Sequence, residues 1–144
     1  MGNIQTVHSL QKISFEDIID TVFKNKNAYL LINTLPITEQ ECLIVHTIPA
    51  QSEEGIINQL ISNNKQHPII IYGKNTNDIS VLKKYEQLCK LGFTNVLIYP
   101  GGMFEWLLLQ EIYGTDMFPS TSKVKDMFSY RPNKTLQLNL LTSY

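Results

Sequence analysis

The sequence predicts an α/β protein with a mostly parallel central sheet and helices on both faces. Two observations lead to this fold class. Apolar runs of about five residues, typical of strands buried on both sides, recur along the chain. Between them lie longer segments whose apolar residues recur at helical spacing. Strands that alternate with helices pair in parallel, and the crossover helices then cover both faces of the sheet.

Composition limits the class of protein. A chain of 144 residues, 43% hydrophobic, is long enough for one domain with a buried core. The net charge of −1 and the absence of a basic stripe argue against nucleic acid as the main partner. Cys42 and Cys89 are the only cysteines and form no CxxC pair, so we expect buried thiols in a reducing compartment. We therefore expect a cytoplasmic protein without a cofactor.

The first residues carry a lipidation pattern. Met1 to Thr6 fits M-G-x-x-x-[S/T], in which Gly2 is myristoylated after Met1 is removed, although a glycine after the start also occurs by chance. Residues 1–13 lack the apolar core of a secretory signal. One acyl chain binds membranes only weakly, and residues 7–13 add a single basic side chain, Lys12. Stable membrane association would therefore need a partner protein or a second modification.

A capped helix opens the globular part. Ser14 is predicted as its N-cap, with Asp17 three residues later in the position of a capping box. Apolar residues follow at helical spacing: Phe15, Ile18, Ile19, Val22 and Phe23. Residues 24–27 end the helix, and Ala28–Ile32 is predicted to be a strand buried on both faces.

The next segment contains a second strand-like run and a second helix. After a polar loop over 33–41, Cys42–Val45 is apolar and β-prone, and we expect a strand there. His46 follows it, but no second ligand stands at metal spacing, so a surface or hydrogen-bonded role is expected. Ser52 is predicted to cap a helix that ends near residues 63–65. Its apolar stripe comprises Ile56, Ile57, Leu60 and Ile61.

A strand, a polar loop and a helix then follow in direct succession. Pro68–Tyr72 is predicted to be the central strand, and a six-residue loop follows it, comprising Gly73, Lys74, Asn75, Thr76, Asn77 and Asp78. In α/β proteins a loop that joins a buried strand to a helix N-terminus is a frequent binding site. Asp78 is predicted to cap the third helix, whose apolar residues are Val81, Leu82, Tyr85, Leu88 and Cys89. Gly92 ends that helix.

One more strand and helix complete the pattern. Asn95–Tyr99 is predicted as a buried strand, and a turn at Gly101-Gly102 leads into a helix from Met103 to about Tyr113. This helix is apolar around much of its circumference, so we expect it to be largely covered.

The C-terminal part shows no sustained period. Residues 114–144 are predicted to be an extension that lies over the domain or reaches a partner, and Leu136–Leu141 is a short run that adds an edge strand or docks elsewhere. The predicted division is therefore an N-terminal segment over 1–13, a domain over 14–113 and an extension over 114–144.

Over residues 14–113, the order of strands and helices and the residues at their boundaries resemble those of a rhodanese-like domain. The most specific part is a strand and loop at Ile69–Gly73, then Gly92-Phe93-Thr94-Asn95-Val96, then Gly101-Gly102 with Trp106 four residues on. Tyr29–Ile32 resembles the first core strand of the family. The resemblance implies the rhodanese-like three-layer α/β/α sandwich with a mostly parallel sheet.

The sequence departs from the family at the residues that carry its chemistry. Active members place a nucleophilic Cys directly after the central strand, where Gly73 stands, and usually end the loop with an Arg, where Asp78 stands. Thr47–Ala50 resembles the family's His-Ile-Pro-Gly-Ala stretch, but it lacks the His and the Gly of that stretch in register. Sulfur transfer needs a thiolate that accepts sulfur as a persulfide, and phosphatase chemistry needs the same Cys and Arg.

Two functions of different classes follow. The first is a non-catalytic module that serves as a structural or protein-interaction domain, with no catalytic or metal-binding residue and an unnamed protein partner. The alternative is a protein that uses loop 73–78 in a non-standard way. In that case it would bind a small anion with help from Lys74, use Thr76 weakly, or transfer sulfur through Cys42.

Overall fold

A four-stranded parallel sheet lies between two layers of helices in a computed structural model, which describes residues 10–25 and 27–136. The strands are β1 (Gln11–Lys12), β2 (Leu30–Asn33), β3 (Ile69–Tyr72) and β4 (Val96–Tyr99), in the spatial order β1-β4-β3-β2. The helices are α1 (Phe15–Phe23), α2 (Ala50–Asn63), α3 (Ser80–Lys90) and α4 (Gly102–Tyr113), and two short 3-10 helices span Ile37–Glu39 and Met127–Tyr130. The predicted fold class is confirmed.

The register aligns the carboxyl ends of three strands. Asn33 pairs with Tyr72, and Tyr72 pairs with Tyr99, so β2, β3 and β4 all end along one line. Every residue of β2 and β3 is buried, which explains why both read as continuous apolar runs. The loops that follow these strands therefore meet at one edge of the sheet, where α/β proteins bind ligands.

Each face of the sheet has its own core. Helices α1 and α4 cover one face, where the largest buried side chains include Ile18, Tyr72, Tyr99, Trp106 and Phe118. Helices α2 and α3 cover the other, over Ile32, Ile57, Ile71, Tyr85 and Leu88. Successive residues of a strand point to opposite faces of the sheet, and in these strands the residues on both faces are apolar. Helices therefore cover both faces, which gives three layers.

The predicted cap of α1 is present, whereas that of α2 is wrong. The Ser14 Oγ accepts from the Glu16 amide at 3.2 Å, and Asp17 Oδ2 accepts from the Ser14 amide at 3.0 Å. Helix α2 begins at Ala50, two residues before Ser52, with Pro49 at the N-cap. Proline already holds the φ angle that leads into a helix, so the chain turns before the serine is reached.

The strand predicted at Cys42–Val45 is also wrong. This segment has no place in the sheet and forms a single antiparallel bridge, between Ile44 and Ser120. Two further backbone hydrogen bonds join it to the C-terminal part: the Thr121 amide donates to the Leu43 carbonyl at 2.8 Å, and the Val45 amide donates to the Pro119 carbonyl at 3.3 Å. An apolar run shows that a segment is buried but does not show what pairs with it.

The described part of the C-terminal extension packs on the domain. Phe118 is buried with its ring centroid 5.1 Å from that of Trp106, and Trp106 Nε1 donates to the Pro119 carbonyl at 3.0 Å. Tyr130 is buried farther along. Within the described ranges, no helix is long and apolar enough to cross a bilayer.

Two expected features of the surface need correction. Helix α4 is covered in its first half, but Ile112 and Tyr113 at its end are exposed. Leu82 of α3 is also exposed, because it lies beside the buried stripe and not within it.

At the N-terminal end, Gln11–Lys12 forms the edge strand β1, which the sequence did not reveal because two polar residues show no alternation. Gly2 and residues 137–144 lie outside the described residues.

Candidate functional site

The loop Gly73–Asp78 leaves the carboxyl end of β3 and is held from one side by the start of α4. Met103 donates its amide to the Gly73 carbonyl at 2.9 Å, and Phe104 donates to the Lys74 carbonyl at 2.9 Å. The first free amides of α4 are thereby satisfied by the loop itself.

Gly102 is required for this close approach. Its φ is +66°, and a Cβ there would lie 2.6 Å from the Gly73 carbonyl oxygen. A residue without a side chain is the one that tolerates both conditions. The second glycine of the Gly-Gly pair noted in the sequence is thus explained by packing against the loop.

The carboxylate of Asp78 folds back into the loop. Its Oδ2 accepts from the Lys74 amide at 2.8 Å, and its Oδ1 accepts from the Ser80 amide at 3.0 Å and lies 2.6 Å from the Ser80 hydroxyl. Helix α3 begins at Ser80 with Ile79 in the N-cap position, so Asp78 does not hold the N-cap as predicted. Its side chain nevertheless binds the first amide of the helix from one residue farther out.

Gly73 is buried and leaves no space for a side chain. A Cβ at this position would lie 2.6 Å from Asp78 Oδ2 and 2.6 Å from Val81 Cγ2, distances that real Cβ contacts do not show. The glycine after β3 and the aspartate at the end of the loop are therefore a matched pair. The aspartate occupies the place that a longer residue at position 73 would need.

The other loop residues also have partners within the protein. Lys74 Nζ lies 2.9 Å from Glu39 Oε1 and 5.9 Å from the centre of the Tyr130 ring. Asn75 Nδ2 donates to the Tyr130 carbonyl at 2.9 Å, and its Oδ1 accepts from the Asn77 amide at 2.9 Å. Thr76 and Asn77 are exposed at the tip. The loop is thus fastened to the C-terminal extension through Asn75 and Lys74.

A polar cleft of about 530 Å³ lies beside the loop. The C-terminal extension forms one wall, and its Arg131 donates to the Phe128 carbonyl at 2.7 Å. Hydroxyl and amide groups dominate the lining: Thr34, Asn75, Asn77, Ser80, Ser129, Asn133 and Thr135. The lining contains equal numbers of positive and negative side chains, since Lys74 and Arg131 are matched by Glu39 and Asp78. The cleft therefore has no excess of positive charge for an anion.

Neither cysteine lies on the loop. Cys42 is 1% exposed, and its thiol donates to the Ser122 carbonyl at 3.2 Å. Cys89 is half-buried on α3. His46 is exposed and has a φ of +73°. Among the described residues, no group of three or more His, Cys, Asp or Glu side chains stands close enough to hold a metal ion.

Two buried tyrosines, Tyr72 and Tyr130, lie next to the loop or within its surroundings. The Tyr72 hydroxyl accepts from the Ile44 amide at 3.1 Å and lies 2.7 Å from Thr47 Oγ1. Burial raises the pKa of Tyr72 far above its ordinary value, and burial with nearby negative groups also raises the pKa of Tyr130. Both phenols stay protonated at neutral pH and act as hydrogen-bonding or packing groups, not as bases.

A family model identifies the domain. Residues 40–109 match the family model of the rhodanese-like domain. The protein contains a rhodanese-like domain. That loop 73–78 corresponds to the family's catalytic loop, with Gly73 and Asp78 in place of its Cys and Arg, is what the sequence resemblance implies, and it stays a prediction.

Solved structures share this fold at low sequence identity. The Saccharomyces cerevisiae single-domain sulfurtransferase RDL2 is 19% identical with a TM-score of 0.57, over 77% of this chain and 97% of the yeast chain. The BH2092 protein from Bacillus halodurans is 15% identical with a TM-score of 0.58, over 96% and 94% of the two chains. The Alr3790 protein from Anabaena sp. is 16% identical with a TM-score of 0.55, over 81% and 96%. A comparison with curated proteins gave no significant match.

Sequence reasoning identified the loop but missed much of its surroundings. Glu39, Tyr130 and Arg131 join the site only through tertiary structure. Ser80 was within reach of the sequence, because a hydroxyl two residues after an aspartate at a helix start often completes a cap. Nothing in the sequence pattern connected Tyr130 to a loop more than fifty residues earlier.

Proposed function

We propose that this rhodanese-like domain is non-catalytic and serves as a structural or protein-interaction module without a cofactor. The observation that supports this most strongly is the contact between Gly73 and Asp78. The position of the family's nucleophile carries no side chain, and the carboxylate at the position of the family's arginine fills the space that a side chain there would take.

The chemistry of sulfur transfer explains why this difference supports a non-catalytic role. The reaction needs a thiolate to accept sulfur, and loop amides with a cation to hold the anionic donor. Here the amides of Lys74 and Ser80 already donate to the carboxylate of Asp78. An anionic donor that approached them would meet a like charge where the arginine is expected.

The interactions of such a module would come from its surfaces and its ends. The scaffold is held by two cores and by the C-terminal extension, which covers part of the loop. We include in the proposal that Gly2 is myristoylated and that the domain works against a membrane together with a protein partner. The motif at residues 1–6 supports this part of the proposal.

Small-anion binding or sulfur transfer at the loop is the second candidate function. The yeast chain of similar fold is named a sulfurtransferase, and a loop at the N-terminus of α3 supplies amides that favour anions. Cys42 would be the thiol of such an enzyme, although it is buried in the core.

A sulfur transfer assay from thiosulfate to cyanide separates the two candidates. We expect no turnover above the uncatalysed rate from the full chain. The single variants Cys42→Ser and Cys89→Ser serve as matched controls for the two thiols, and an active rhodanese-like domain verifies the assay. Turnover by the full chain that Cys42→Ser abolishes would establish the second candidate and end the first.

A further inference from the structure

We propose that the outer face of α4 joins two copies of this chain in a two-fold dimer. The proposal goes beyond a non-catalytic module of unnamed partner, because it names a surface and the chain that binds there. It does not depend on the chemistry of loop 73–78. It rests on a row of apolar side chains along α4.

This row lies on the side of α4 that faces away from the core. Phe104, Leu108 and Ile112 follow one another at a spacing of four residues, so they are neighbours along the helix surface. Phe104 and Leu108 each stand two residues from the fully buried Trp106, which places them about 160° around the helix from it. Both are half-buried, and Ile112 is 69% exposed.

The apolar surface continues beyond the row. Phe128 has its ring centroid 6.5 Å from that of Phe104. Tyr113 and Met117 continue it past the end of α4, and more than half of each of these three residues is exposed. On α1, which covers the same face of the sheet, the exposed side chains described are all acidic: Glu16, Asp17 and Asp20. Helix α4 therefore lacks the polar outer face of a helix that stays in water.

The patch is large enough for a stable dimer. At about 200 Å² for a large side chain, the exposed parts of these six residues amount to roughly 500 Å² of apolar surface. A standard interface takes about 800 Å² from each partner, of which about 57% is apolar. The apolar share of such an interface, about 450 Å², is therefore no more than the patch offers.

Helix geometry favours a second copy as the occupant. Residues four apart form a ridge, and in the commonest class of helix packing two such ridges interdigitate at about −50°. A second copy supplies the same ridge, and a two-fold axis beside Leu108 places Phe104 of one copy near Ile112 of the other. Glu111 and Lys125 line a cleft beside the row, so the rim carries charges of both signs.

A membrane surface and another protein suit this face less well. The acidic side chains of Glu111, Asp116 and Asp126 lie on or next to the elements that carry the patch, and they would be repelled by the negative surface of a bilayer with anionic lipids. A helix of another protein would have to present a matching ridge, whereas a second copy has that ridge by identity.

Sedimentation velocity of the full chain over a range of concentrations tests the proposal. We expect a species of twice the 16.5 kDa of one chain, in reversible exchange with the monomer. Ile112→Lys should raise the dissociation constant about a hundredfold or more, because the interface would bury an unpaired charge. The matched control is Ile79→Lys at the start of α3, since Ile79 is 67% exposed and lies on the other face of the sheet. This control should leave the dissociation constant unchanged.

A cross-link tests the two-fold arrangement. In a Cys89→Ser background the buried Cys42 is the remaining native thiol. Leu108→Cys should then be joined to its own copy by a short bismaleimide, because residue 108 lies beside the axis. Leu82→Cys, on an exposed leucine of α3, should stay a single chain under the same conditions. Urea midpoints of all variants show whether a lost dimer reflects misfolding.

Four outcomes would overturn the proposal. A monomer at every concentration would show that no second copy binds. Equal weakening by Ile112→Lys and Ile79→Lys, or cross-linking of Leu82→Cys and not of Leu108→Cys, would place the contact elsewhere. A mass that grows beyond the dimer would show an open contact without a two-fold axis. None of these outcomes changes the result of the thiosulfate assay, so the non-catalytic role is tested separately.

Discussion

Asp78 Oδ2 stands 2.6 Å from the place that a Cβ on Gly73 would occupy, so the carboxylate as it lies leaves no room for a side chain at position 73. The glycine at position 73 and the aspartate at position 78 are therefore coupled in the structure. The carboxylate takes up the loop amides, and the glycine gives it room.

This contact predicts a measurable coupling in stability. Gly73→Ala should lower the free energy of unfolding by about 1–3 kcal/mol, because the new methyl group overpacks a buried site. In an Asp78→Ala background the cost should be smaller by about 0.5 kcal/mol or more, since one of the two clashes is gone. Urea denaturation of the four chains measures the cycle.

A second glycine provides the control for that cycle. Gly55 lies within α2, and a Cβ there would meet no atom within 4 Å. Gly55→Ala should therefore stabilise the protein by about 0.5–1 kcal/mol. Equal effects of alanine at positions 73 and 55 would contradict the matched-pair interpretation.

The same contact predicts that a cysteine alone will not create an enzyme. Gly73→Cys should give no sulfur transfer above the parent chain, because the thiol clashes with Asp78 and the donor anion meets its charge. Gly73→Cys/Asp78→Arg should give higher turnover, since it removes the like charge and adds a cation that holds the donor. The thiosulfate assay compares both variants with Asp78→Arg. A single variant as active as the double one would show that Asp78 does not obstruct the loop.

The C-terminal extension should contribute to global stability through Phe118. This ring is 1% exposed and contacts Phe15 as well as Trp106, with centroids 5.7 Å and 5.1 Å away. Phe118→Ala should cost about 3–5 kcal/mol. The neighbouring Met117 is 51% exposed, so Met117→Ala should change stability by no more than about 0.5 kcal/mol. If urea denaturation gives similar values for both variants, the extension is not part of the cooperative fold.

Buried phenols predict a loss of stability in alkali. The pKa of Tyr72 is raised by burial in the folded protein, whereas the unfolded chain titrates near the ordinary tyrosine value of about 10. The stabilising contribution is thus present below about pH 10 and is lost as the pH rises above it, because the unfolded chain releases the proton first. Urea midpoints measured on both sides of about pH 10 should show the decline.

Replacing the phenol tests its share of that effect. Tyr72→Phe should reduce the alkaline decline while lowering stability at neutral pH by about 1–3 kcal/mol, because the Ile44 amide loses its acceptor. An alkaline decline as steep in Tyr72→Phe as in the parent chain would assign the effect to other groups, among them Tyr99, whose pKa is also raised by burial.

The N-terminal motif predicts a covalent change. In a cell that contains N-myristoyltransferase, the intact mass of the protein should show loss of Met1 and gain of a myristoyl group on Gly2. Gly2→Ala should remove that mass and should lower the membrane-bound fraction, whereas Asn3→Ala should leave both unchanged. A free or acetylated Gly2 in the parent chain would remove the membrane part of the proposed function.

Much of the architecture follows from local pattern. The runs that became β2, β3 and β4 are apolar on both sides because helices cover both faces, and together with the helical segments between them they predicted a parallel sheet. Local pattern also predicted the capping box at Ser14 and Asp17. It likewise predicted the glycine that ends α3, Gly92, whose φ is +102°. Each depends on residues that are close in sequence. The expectation that residues 73 and 78 replace the family's Cys and Arg rests on identities at fixed spacing in a family pattern, and it stays a prediction.

Tertiary structure decided what those residues do. Cys42–Val45 had the composition of a strand, yet its partners proved to be Pro119–Thr121, which no local pattern connects with it. Lys74 looked available to an anion until Glu39 and Tyr130 were placed beside it. The sequence alone determined that the loop contains no cysteine, serine, histidine or arginine. Only the tertiary structure decided that the Asp78 carboxylate fills the space that a side chain at position 73 would need. The direction of a side chain is set by its neighbours in space and not by those along the chain.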